Sequence, residues 1–170
     1  MEPTLTAYKS YAKEVFAAQQ KKLVIKLNKR IENLTDKTIQ EQEKMSHSKL
    51  LLAAIAQCNE EYDRSMELLK EHLALVEKWW GNSDLRVATT LSRMATLGEL
   101  VVSSNTKLDP KEKRVALRKA RELARVRLER ALNIVRKIGG TTSPSEEDIL
   151  NQISLVEFKG GRAASAKRWR

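Results

Sequence analysis

The sequence predicts an all-α protein built of antiparallel helical hairpins. Apolar residues recur at steps of three, four and seven along most of the chain, the spacing of one helical face. Gly and Pro number only six and three in 170 residues, too few to punctuate a strand-and-turn fold. Helix-start grammar stands ahead of two of the apolar runs.

The first helix is expected from Thr4 to Leu34. Leu5, Tyr8, Ala12, Val15, Phe16, Leu23, Leu27, Ile31 and Leu34 are its apolar positions, and lysines fill much of the rest. Asp36 is a fair cap for a second helix, Lys37 to Cys58, polar at its start and apolar in LLLAAIA (50–56). Asn59 interrupts, and a third helix follows from Glu60 to Trp80. Asn82 and Ser83 can cap a fourth, Asp84 to Ser103. Asp109, Pro110 and Glu112 then supply a cap, a proline at the first helical position and an acid at the third. That fifth helix runs to Ile138 and stops at Gly139-Gly140. Ser143-Pro144-Ser145-Glu146 repeats the grammar for a sixth, Pro144 to Phe158. Residues 1–158 therefore read as one helical domain and 159–170 as a basic tail. Connections this short make consecutive helices antiparallel neighbours.

Charged residues are 32% and hydrophobic residues 41% of the chain, a folded helical composition. No apolar run approaches the ~20 residues that span a bilayer. Cys58 is the single cysteine, so no internal disulfide forms and a reducing, intracellular compartment is expected. The cytoplasm is the first address. The acid-poor stretch Lys9–Arg30 is similar to a mitochondrial presequence, which makes mitochondria the alternative.

The net charge of +10 is unevenly placed. Residues 106–138 hold twelve basic and four acidic side chains, whereas 139–158 hold no basic and four acidic ones. Lys111, Arg114, Arg118, Arg121 and Arg125 form one stripe on the fifth helix, with Val115, Leu123, Leu128, Leu132 and Val135 mainly on the other side. Arg162, Lys167, Arg168 and Arg170 continue the basic character in the tail. The guanidinium fork suits carboxylates and phosphates alike. Three readings stand open for the stripe: a solvated face partly paired with Glu122 and Glu129, a dock for an acidic protein, or contact with nucleic-acid phosphates. Aromatics that would stack bases are missing from this helix.

The sequence offers no catalytic constellation, cofactor motif or small-molecule site. His47 and His72 lie on different helices without partners at metal-ligand spacing and read as surface or boundary histidines. Cys58 reads as a small buried residue. IGGTTS (138–143) lacks the strand and lysine of a phosphate loop.

Residues 62–91 align with 121–150 at a constant offset of 59. Leu69 meets Leu128, Leu73 meets Leu132, Val76 meets Val135 and Gly81 meets Gly140. Tyr62–Gly81, read as Y-x-x-S-x-x-L-L-x-x-x-L-x-L-x-E-K-x-x-G, resembles the second helix of the kinesin-light-chain type of tetratricopeptide repeat. Val87-Ala88-Thr89-Thr90-Leu91 and Met94-Ala95 follow at that family's spacing, and ERALNIVRKIGG (129–140) writes the helix end again. His72, Leu85 and Arg121 depart from the pattern, standing where the family has alanine, proline and tyrosine.

The resemblance covers about residues 50–155. It implies a right-handed array of about two and a half stacked hairpins, capped by the long first helix, with a groove for a peptide or partner helix. It places Trp79, Trp80 and Gly81 at a seam between repeats. The two rings should then face different neighbours, Leu52–Ile55 on one side and Val87–Leu91 on the other. The expected function is a non-enzymatic interaction scaffold or adaptor, a subunit of a larger assembly that binds an acidic or helical protein partner. The alternative is a basic structural subunit of a ribonucleoprotein such as a ribosome, holding RNA phosphates through 110–138 and the tail.

Overall fold

The computed structural model describes residues 5–34, 38–139 and 144–161, with side chains from residue 16 onward. Within them the chain is all-helical, and no strand occurs among the described residues. The helices are α1 (Leu5–Glu32), α2 (Ile39–Cys58), α3 (Tyr62–Trp80), α4 (Leu85–Ser104), α5 (Pro110–Ile138) and α6 (Glu146–Lys159). The expected caps Asp36 and Ser143, the matched Gly140 and the basic tail residues Arg162, Lys167, Arg168 and Arg170 lie outside the described residues.

Local chemistry sets the helix starts. Asp109 accepts from the amides of Lys111 and Glu112, and Glu112 accepts in return from the Asp109 amide, with Pro110 behind the cap. Four starts fall later than the sequence suggested. α2 begins at Ile39 because Thr38 and Glu41 form the capping box. α3 begins at Tyr62 because Glu60 sits at φ 63°, a left-handed backbone that no α-helix continues through. α4 begins at Leu85 because Asp84, not Asn82 or Ser83, is its cap and accepts from the Arg86 amide. α6 begins at Glu146 because Ser145 and Asp148 cap each other. Hydrogen bonding from Ser145 holds the Asp148 carboxyl below its usual range.

Consecutive helices pack on one another, α2 on α3 and α4 on α5 most extensively. Cross-helix hydrogen bonds give their directions. Ser46 meets His72 and Ser65 donates to the Ala53 carbonyl, so α2 and α3 are antiparallel. Lys113 reaches the Ser103 carbonyl and Arg127 the Met94 carbonyl, so α4 and α5 are antiparallel. Arg136–Glu146 and Arg125–Glu157 set α5 against α6 in the same sense.

Two buried clusters hold the helices together. One joins Leu27 of α1, Leu52, Ala53 and Ala56 of α2, Leu68 and Leu69 of α3, and Met94 and Leu97 of α4. The other joins Val76 of α3 and Val87, Ala88, Leu91 and Ala95 of α4 to α5 and α6. Each fully buried Leu, Ile or Val contributes about 1.5–3 kcal/mol, so these clusters are what the amphipathic pattern is for. The apolar run in α2 cannot be buried all round: Leu52 is in the core while Leu51 is exposed.

Candidate functional site

The basic stripe on α5 divides into two halves with different surroundings. At its C-terminal half the arginines are engaged inside the molecule. Arg125 Nε lies 2.8 Å from Glu129 and 3.4 Å from the buried carboxylate of Glu157 on α6. The Glu129 hydrogen bond and charge raise Arg125 above its usual pKa. Arg121 pairs with Glu99 of α4 at 3.3 Å and donates to the Lys159 carbonyl at 2.8 Å. That second bond satisfies a carbonyl at the end of α6 and opposes the negative end of its dipole. At the N-terminal half, Lys111, Arg114 and Arg118 are exposed and have no ion pair with a described residue.

The residues expected opposite the stripe also divide. Leu128, Leu132 and Val135 enter the core. Val115 and Leu123 do not, being 55% and 49% exposed. The reason is helix face: Leu128 and Leu132 stand seven residues on from Arg121 and Arg125 and carry the arginine face into the core instead of lying opposite it. Leu123 turns to a shallow concavity beside Met66 and Val101, and Val115 lies on the front of α5, beyond the end of α6.

Two concavities flank the end of α6. One, of about 340 Å³, lies between α4 and α6 and is lined by Ala95, Leu100, Leu155, Val156, Glu99 and Lys159 among others. The other, of about 440 Å³, is lined by Arg118, Arg121, Glu122 and Gly160. The Glu99–Lys159 pair at 3.3 Å ties the rim of the first.

Trp80 packs on the α4–α5–α6 cluster that contains Val87, Ala88 and Leu91, and the Arg86 guanidinium lies over its ring at 4.2 Å. Trp79 meets Trp80 edge-on, with centroids 5.4 Å apart. Both rings are half-buried. The expected contact with Leu52–Ile55 is corrected by helix direction. In an antiparallel pair the end of α2 faces the start of α3, so Leu52 and Ile55 pack with Leu68 and Leu69. Gly81 closes α3 with φ 84°, and its amide bonds to the Glu77 carbonyl.

Two further expectations change. Cys58 is exposed, since it ends α2 where no helix covers it. His72 is fully buried, not a surface or boundary residue. Its ring is held between Ser46 of α2 and Thr90 of α4, at 2.7 and 2.9 Å. Burial chiefly, with help from Arg93, Lys49 and Arg86, lowers its pKa to about 4. Nothing in the local sequence marks it, because both partners come from other helices. Among the described residues no group of His, Cys, Asp and Glu could hold a metal ion, and no helix is long and apolar enough to cross a membrane.

No protein-family model and no curated protein matches the chain.

Proposed function

We propose that the chain is a non-enzymatic interaction scaffold, a tetratricopeptide-like stack of helical pairs that serves as a subunit or adaptor of an intracellular assembly and binds an acidic or helical protein. The observation that carries this reading is a burial pattern written twice. At the offset of 59, Ser65, Leu69, His72 and Val76 on α3 correspond to Ala124, Leu128, Ala131 and Val135 on α5, and all eight are buried. Met94, Ala95 and Leu97 on α4 correspond in the same way to Ile153, Ser154 and Val156 on α6, again all buried. A helix–turn–helix unit used twice in one packing mode is how repeat arrays are built, and such arrays work by presenting surfaces. The concavity between α4 and α6 is a place for a partner's side chains.

The test is affinity purification at gentle salt, with and without nuclease. The scaffold reading expects a defined set of proteins that survives nuclease. The ribonucleoprotein reading draws on the exposed Lys111, Arg114 and Arg118. It expects nuclease-sensitive partners and an affinity that falls log-linearly with salt.

A further inference from the structure

α6 is shorter than the helix it lies on. It stops at Lys159, with Gly160 and Gly161 behind it, where Arg121 donates to the Lys159 carbonyl. The α5 ridge that faces α6 continues past that stop. Arg118, Arg114 and Lys111 extend the spacing of Arg125 and Arg121 for nearly three more turns and are exposed. Beneath α6 and α4, every arginine of this ridge grips carboxylate: Arg125 holds Glu129 and Glu157, and Arg121 holds Glu99.

We infer that the uncovered run Lys111–Arg114–Arg118 docks an acidic amphipathic helix of a partner protein, laid end to end with α6. This rests on the scaffold reading and names the surface and the chemistry it uses. Charge sets the sign, since guanidinium forks one turn apart match carboxylates one turn apart. Apolar contact sets the class. Val115 stands exposed between Lys111 and Arg118, and Leu108 and Ala116 line a shallow concavity with Lys111 and Lys119. A phosphate backbone gains nothing from Val115, whereas the apolar side of an amphipathic helix covers it. The chain's own residues 162–170 are no candidate, because Arg162, Lys167, Arg168 and Arg170 come without an acid.

Two measurements on the full chain test this. In the first, a labelled synthetic helical peptide with glutamates one turn apart and leucines beside them is titrated by fluorescence anisotropy. A glutamine-for-glutamate twin and a single-stranded RNA oligomer are run alongside. Arg114→Glu with Arg118→Glu should weaken the glutamate peptide by roughly tenfold or more while the circular dichroism stays unchanged. Equal binding of the glutamine twin, or tighter binding of the RNA lost in the same variant, overturns the inference. In the second, a photo-crosslinking residue replaces Val115 in cells, and the captured segment is sequenced. An acid-rich amphipathic segment supports the inference. RNA, a basic segment or no capture from an intact complex overturns it and leaves the scaffold reading standing. A wild-type chain that keeps no protein partner after nuclease defeats the scaffold reading itself.

Discussion

Ser46 Oγ stands 2.7 Å from Nε2 of His72, with both side chains buried. The rest of the network fixes the protons. Thr90 donates to the Arg86 carbonyl at 2.7 Å, so its oxygen accepts from Nδ1–H of His72. Nε2 then accepts from the Ser46 hydroxyl, and the ring is neutral. One side chain thereby joins α2, α3 and α4.

The first prediction concerns pH. His72 ordinarily titrates at 6.5 and in the fold at about 4. Above 6.5 neither state carries the proton. As pH falls from 6.5 towards 4 the unfolded chain takes up a proton that the folded chain refuses, so stability drops, by about 3 kcal/mol at most. Urea titrations between pH 7 and 5 should show this decline. His72→Leu should cost about 1–3 kcal/mol at pH 7, because two buried hydroxyls lose a partner. It should also flatten the decline, and an unchanged slope in the variant would refute the assignment.

Glycine substitutions should differ in sign. Gly81 and Gly139 cap α3 and α5 at φ 84° and 70°, and a Cβ added at either would meet nothing within 4 Å, so only backbone strain opposes alanine there. Each Gly→Ala change should cost about 1–3 kcal/mol. Gly98 lies inside α4, where an added Cβ meets only Arg127 at 3.9 Å. Gly98→Ala should stabilise by about 0.5–1 kcal/mol. Thermal denaturation reads all three.

The arginines of the α5 stripe should separate in the same assay. Arg125 faces the Glu157 carboxylate, which is 1% exposed. Arg125→Leu should destabilise by about 1–3 kcal/mol, and adding Glu157→Gln should recover part of the loss. Arg114→Ala should change stability by less than about 0.5 kcal/mol. Equal losses at the two positions would show that α6 does not depend on the inner pair.

Core and surface contacts offer a fourth comparison. Leu69→Ala and Leu128→Ala, at corresponding buried positions, should each cost about 2–5 kcal/mol. Arg130→Ala removes the 2.5 Å contact with Glu77, but that arginine side chain is 41% exposed, and the loss should stay below about 1 kcal/mol. Chemical denaturation of the three variants gives the ranking.

What the sequence makes legible is what depends on near neighbours. The Asp109–Pro110–Glu112 start is a three-residue device and is readable as such. The stops of α3 and α5 are readable from glycine, though the α5 cap is Gly139 and so comes one residue ahead of the aligned Gly140. The role of His72 is not readable, since its partners stand 26 and 18 residues away on two other helices. The spacing of the α5 arginines is plain. Their division into gripped and open halves is not, because it depends on where α6 ends.

The two buried clusters have no boundary helix between them. α3 gives Leu68 and Leu69 to one and Val76 to the other, while α4 gives Met94 and Leu97 to the first and Val87, Ala88, Leu91 and Ala95 to the second. A peptide-bond break in the 81–84 turn would therefore leave each product with part of two interiors and the whole of neither. Fragments made there should regain more structure together than apart.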